Sequence, residues 1–233
     1  MIDLSGENLE GAPLFRAQLE RARLGGANLK GAMLNSANLK EAVLIRANLD
    51  EASLYCAVLV SAVTYGASFV GANLTRAMLI CANLSTSDFR KAQMARADLR
   101  ETILRGANLN GADLTGADLK GADLSNALLN DVTLADADLS GANLTEVSVR
   151  WSNLKRANLR GVNLKGANLR GTNLSVADLT DADLSDADLS EVNLNNARLD
   201  GVKLSEKTIL QESSLKGAVF SDSVLEQIMN FSL

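Results

Sequence analysis

The chain contains no histidine, one proline, two cysteines and few aromatic residues, 3% of its 233 positions. Without histidine no Ser-His-Asp or Cys-His relay can be assembled, and the commonest imidazole metal ligand is missing. No apolar run reaches the roughly 20 residues that a membrane-spanning helix requires. A net charge of -5 does not provide the basic surface that nucleic acid needs, so nucleic acid is not an expected partner. The opening residues Met1-Ile2-Asp3-Leu4 enter the main pattern at once, so no signal peptide is expected within this chain. The two cysteines are read as free thiols of a reducing compartment, which makes the cytoplasm the expected location.

Leucine is what the chain has in excess, and its spacing decides the fold. Every fifth residue from Leu4 to Leu204 belongs to one unbroken series of 41 positions, 36 of them Leu, the others being Thr64, Phe69, Phe89, Met94 and Val149. Two residues before these centres, 30 of 39 positions from Ala12 to Val202 are Ala. On an α-helix a step of five advances about 500°, so the leucines would wind around every side. On an extended segment residues two apart share a side, so Ala and Leu of each unit point inward together. Of 17 glycines, 15 lie two places after a centre, as at Gly106 and Gly171, where a type II turn takes a positive φ. Each pentapeptide is one short side plus one corner, and four sides close a coil that stacks on the next through parallel ladders. At about 4.8 Å per coil, 10 to 11 coils make a rod roughly 50 Å long. The Gly corners are expected to be type II, and the Gly-poor corners from Glu41 to Ser61 and from Arg76 to Glu101 to avoid positive φ.

Runs such as Ala107-Asn108-Leu109-Asn110-Gly111 and Ala182-Asp183-Leu184-Ser185-Asp186 resemble the pentapeptide repeat protein family over about residues 2 to 206. That resemblance implies an all-β, right-handed quadrilateral parallel β-helix. A leucine-rich repeat would need spacings of three and two within each unit, and only fives occur. The domain reading is a β-helix over 1–206 followed by an irregular last coil and cap over 207–233. After Leu204 the register slips by one, so Lys207 falls at an inward position and Leu215 and Phe220 become the next centres. Ser223-Val224-Leu225-Glu226 has the form of a capping box, and Val224, Leu225, Ile228 and Met229 recur at helical spacing, which predicts a helix over 222–231 laid on the last coil. The N-terminal coil has no comparable device.

For function the same stacking rule is informative. Four Leu and four Ala per coil fill a narrow bore and leave no axial ligand cavity, so no cofactor, metal or enzymatic activity is expected. Asp98, Asp118 and Asp138 stack in one outward column, with Asn158 and Asp178 beyond; such carboxylates bond the adjoining turn backbone more readily than they hold a cation. Cys56 and Cys81 lie 25 residues apart, one coil plus one side, on different edges and beyond disulfide reach. Some members of the family resembled are regarded as mimics of duplex DNA that protect type II topoisomerases such as gyrase, and that is the alternative reading here. Duplex DNA carries one charge per about 1.7 Å, hence about 30 over such a rod. This chain carries -5. Its charge is also banded: seven acids and one Lys over 111–146, six bases and no acid over 150–175, six acids and no base over 176–191. The favoured reading is a non-enzymatic scaffold that binds a protein partner or itself. Its candidate surface is Val43, Ile45, Val58, Val60, Val63, Tyr65, Met78 and Ile80, which the stacking places on two adjacent sides of two neighbouring coils.

Overall fold

The computed structural model describes residues 1–231, with side-chain burial described through residue 226. The chain winds as a four-sided solenoid in which each side contributes a single bridged residue flanked by turns. The bridges are parallel and spaced one coil apart, Asn28 with Asn48 and Asp118 with Asp138 for example. They repeat on all four sides because residues such as Asn48, Ser53, Val58 and Val63 bridge in turn to Ser68, Asn73, Met78 and Asn83. Within each bridged stretch the centre donates to the following coil and the residue before it to the preceding one, as Leu49 N to Ser68 O at 2.7 Å and Asn48 N to Ala27 O at 2.9 Å show. From Leu24 to Leu194 the inward Leu and Ala side chains are almost wholly buried. Fully burying one Leu contributes roughly 1.5 to 3 kcal/mol, so the stacked columns hold the rod without a crosslink.

Two aromatic rings interrupt the leucines without leaving a void. Phe69 and Phe89 stack with centroids 4.7 Å apart and planes 10° from parallel. Thr64, on the side before Phe69, is smaller than the Leu the repeat would place there, while Ser87, two residues before Phe89, adds a hydroxyl where the repeat has Ala. Their hydroxyls remain satisfied: Thr64 Oγ1 lies 3.1 Å from Ser87 Oγ, and Ser87 Oγ donates to the Thr64 carbonyl at 2.7 Å. Thr102, Ser152 and Thr172 likewise donate to carbonyls of Leu99, Leu129 and Val149. Among the described residues no buried side-chain polar atom lacks a partner.

The corners depart from expectation. Glycine corners have positive φ, 62° at Gly106 and 70° at Gly171, but so do the Gly-poor ones: Glu41 at 56°, Cys56 at 55°, Ser61 at 55°, Arg76 at 58° and Glu101 at 56°. One turn type therefore runs along the rod, and the predicted division between Gly-rich and Gly-poor corners is wrong. The reason lies in the ladder. Each corner amide must point along the axis to the next coil, as Glu41 N does to Val60 O at 2.9 Å, while the turn closes through Ala42 N to Leu39 O at 3.0 Å. Those repeated bonds outweigh the roughly 1 to 2 kcal/mol that a left-handed conformation costs a residue with a Cβ.

The two ends are built differently. At the C-terminal end the register shift occurs, with bridges such as Asp188 to Ile209 and Arg198 to Val219 now spaced one residue wider. Lys207, however, is exposed, contrary to the expectation of an inward position. The extra residue is accommodated in the turn, and Thr208 takes the inward place, donating to the Leu184 carbonyl at 3.0 Å and accepting from the Ser205 amide at 3.0 Å. Leu210 thus precedes Leu215 and Phe220 among the partly buried centres. Helix α1 spans Asp222–Phe231. Its first α-helical bond runs from Leu225 N to Ser221 O, which makes Ser221 the N-cap and puts Ser223 inside the helix, so the expected Ser223 capping box is displaced by two residues. Val224 is buried against the terminal leucines over a remnant cavity of about 10 Å³. Leu225 is exposed, and the Ile228 and Met229 side chains lie outside those described. At the N-terminal end Leu4, Leu9 and Leu14 are only partly buried. The chain's one proline, Pro13, sits on this open edge, where later residues of its column donate an amide to the preceding coil, as Met33 N does to Ala12 O at 2.9 Å. A proline there leaves no amide unpaired.

Candidate protein-interaction surface

The candidate surface follows from the repeat. In Ala-x-Leu-x-x units the residues flanking Leu point outward, so Val58 and Val60 flank Leu59, and Val63 and Tyr65 flank the buried Thr64. The structure brings the eight predicted residues together. Val43 bridges to Val63 and Val58 to Met78, while the amides of Arg46 and Ser61 reach the carbonyls of Tyr65 and Ile80. Ile45, Met78 and Tyr65 are 38%, 41% and 48% exposed, and the other five are half-buried. Ser61 and Cys81, both small, stand at the corner between the two sides.

Elsewhere the outward positions are chemically quiet. The Asp98, Asp118 and Asp138 column alternates with bases: Arg100 reaches Asp98 at 2.6 Å and Asp118 at 3.8 Å, and Lys120 reaches Asp138 at 3.1 Å. Arg160 and Arg198 share Asp178 farther along. The guanidinium of Arg100 holds the Asp98 carboxyl below the usual carboxylate range. For Asp138 burial works in the opposite direction, but hydrogen bonds from Ser140, Lys120 and Asn158 outweigh it and its carboxyl too is held low. In this column Oδ1 also accepts the amide two residues on, as Asp118 does from Lys120 at 3.2 Å and Asp138 from Ser140 at 3.0 Å, so the turn engages one carboxylate oxygen of each. Among the described residues no group of three or more His, Cys, Asp or Glu side chains is arranged to hold a metal. Cys56 and Cys81 are both free.

The basic band of 150–175 wraps around the rod instead of forming a patch. Arg156 pairs with Asp136 at 2.5 Å, Arg160 with Asp178 at 3.3 Å and Arg170 with Glu191 at 2.5 Å, so three of its six bases are tied to the acidic bands on both sides. Two exposed features escaped the sequence reading. Phe15, Met33 and Tyr55 form a thinner apolar strip on one side near the open end, legible from the same stacking rule. Trp151, the only tryptophan, is 51% exposed on a corner and covers Gly171 of the next coil. No helix among the described residues is long and apolar enough to cross a membrane.

Comparison with known proteins agrees with this architecture. The sequence model for pentapeptide repeats matches residues 2–63 and 67–205 in overlapping segments. The crystal structure of HetL, a pentapeptide repeat protein involved in heterocyst differentiation regulation from the cyanobacterium Nostoc sp. strain PCC 7120, is 35% identical, with 89% of this chain and 90% of that one covered and a TM-score of 0.67. Rfr23, a pentapeptide repeat protein from the cyanobacterium Cyanothece 51142, is 40% identical over 40% of this chain and 63% of its own, with a TM-score of 0.39. QnrB1, a plasmid-mediated fluoroquinolone resistance protein, is 17% identical over 98% of this chain and 94% of its own, with a TM-score of 0.43. Among curated protein sequences no match is found. The family model and the match to HetL imply a right-handed quadrilateral β-helix, and proteins of the family generally serve structural or interaction roles rather than catalysis. With most of its length matched by the repeat model and a solved relative at 35% identity, the chain belongs to the pentapeptide repeat family.

Proposed function

We propose that the protein is a non-enzymatic interaction scaffold that engages a protein partner through the apolar surface centred on Val60 and Tyr65. The observation that carries this reading is the convergence of eight outward apolar side chains on two adjacent sides, where the corresponding positions from 150 to 200 are almost all polar. Several hundred Å² of contiguous apolar surface is the scale at which exposed area usually marks an interaction site. The filled bore supports a structural rather than catalytic role, and HetL, a family member described as involved in regulation, supports a regulatory use of the scaffold. In this reading 1–206 is the working rod and 207–233 its terminal closure, and the two free thiols favour the cytoplasm. Mimicry of duplex DNA has the charge pattern against it, since the carboxylates are interleaved with bases at short range.

The test compares wild type with Val60→Glu/Tyr65→Glu in affinity capture and in sedimentation velocity, with circular dichroism to verify folding. Loss of the captured partner by a folded variant is expected. Retention of every partner and of the oligomeric state would remove this surface as the binding site. A gyrase supercoiling assay should show no effect of the wild-type protein, and protection of gyrase would favour the alternative.

A further inference from the structure

The border of the apolar surface carries charges that the chain leaves unneutralised. Along its central corner the charges are already paired: Glu41 accepts from Arg21 at 2.6 Å and lies 3.7 Å from Lys40, Arg100 holds Asp98, and the Cys81 thiol donates to Glu101 at 3.5 Å. The outer borders differ. Arg46 follows Ile45 at one corner, where its amide bonds the Tyr65 carbonyl at 3.1 Å. At the opposite corner Arg76 lies two residues before Met78, and Arg96 is stacked on it, since the Arg76 amide donates to the Ala95 carbonyl at 3.0 Å. All three arginines are exposed, and among the described residues none of them makes an ion pair or side-chain hydrogen bond.

An apolar stripe bounded on both borders by free guanidinium groups specifies the chemistry of its complement. We propose that the surface takes an acidic amphipathic segment of a partner protein, one with an apolar stripe between two rows of carboxylates. This rests on the interaction reading above and names the partner's chemistry. Guanidinium groups present a planar fork that matches carboxylate geometry, and complementary rims fix register and suppress wrong partners. A second copy is disfavoured because a two-fold contact sets the patch against itself and brings arginine borders together. A bilayer is disfavoured by shape, because the patch bends over a corner of a four-sided rod and a flat surface meets only one side of it.

The experiment titrates the full chain against two synthetic helical peptides that share one leucine face, flanked by glutamates in one and by lysines in the other. The glutamate peptide is expected to bind about tenfold more tightly, an advantage that shrinks as salt rises from about 0.05 to about 0.5 M. Arg46→Glu/Arg76→Glu/Arg96→Glu should invert the preference, and Tyr65→Asp should abolish binding of both peptides. Equal binding of the two peptides, lost in Tyr65→Asp, would overturn the acidic partner while leaving the surface an interaction site. Binding that survives Tyr65→Asp would overturn the site itself, and failure of both peptides to bind would overturn the proposal. Patch-dependent binding to phosphatidylserine vesicles without peptide binding would replace the partner with a lipid surface. Dimerisation lost in Tyr65→Asp would replace it with a second copy.

Discussion

Replacing Gly171 by Ala tests the stacking of coils at a place where the reporter is built in. A Cβ added at Gly171 would fall 2.1 Å from Trp151 Cε3 and 2.3 Å from Cζ3, so the indole could not stay where it is. The ring is half-covered, and a tryptophan buries on the order of 200 Å² when fully enclosed. Displacing it therefore removes about 100 Å² of contact, at most about 2.5 kcal/mol at roughly 25 cal/mol per Å². The backbone adds about 1 kcal/mol, because the φ of +70° at this corner is left-handed for a residue with a Cβ. Gly106→Ala supplies the control: its φ is +62°, but its nearest neighbour is Thr86 Cγ2 at 3.8 Å, so only the backbone contribution remains. Because Trp151 is the sole tryptophan, its emission reports the ring alone. Gly171→Ala should shift that emission to the red and lower the melting temperature more than Gly106→Ala does. In a Trp151→Ala background the two glycine variants should become equivalent. Equal melting shifts with an unchanged emission maximum would refute the placement of the indole on the corner.

Two further outcomes follow from the inward and corner positions. Leu114→Asp places an unpaired carboxylate among fully buried leucines and should destabilise by several kcal/mol in thermal melts. Asn110→Asp, whose side-chain oxygen accepts the Asn130 amide at 2.8 Å and can still do so as a carboxylate, should be nearly silent; equal shifts would mean the inward assignment is wrong. Val176 is a β-branched residue held at a φ of 63° on an exposed corner, so Val176→Gly should relieve about 1 to 2 kcal/mol of strain against about 0.5 to 1 kcal/mol of lost chain entropy. A small rise in melting temperature is expected, and a fall would show that the ladder does not strain this corner.

Much of this protein is dictated by spacing alone. A period of five on an extended chain forces Ala and Leu inward and their neighbours outward, and four sides per coil then fix which residues stack. That is why the buried series from Leu24 to Leu194 and the grouping of Val43, Val58, Val63 and Met78 were legible without coordinates. The corner conformation was not. Local propensity puts glycine where φ is positive, yet Glu41, Cys56 and Arg76 adopt the same geometry because amide bonds to the next coil demand it. The extra residue after Leu204 was visible in the sequence, but whether Lys207 or Thr208 would turn inward depended on which could satisfy the Leu184 carbonyl within the core, and the threonine hydroxyl does so. Likewise the sequence showed charges in bands, whereas only the folded rod paired Arg156 with Asp136 and Arg170 with Glu191 and left Arg46, Arg76 and Arg96 free beside the apolar surface. Those choices are made by side-chain rotamers and hydrogen bonds between coils, across separations that no local pattern encodes.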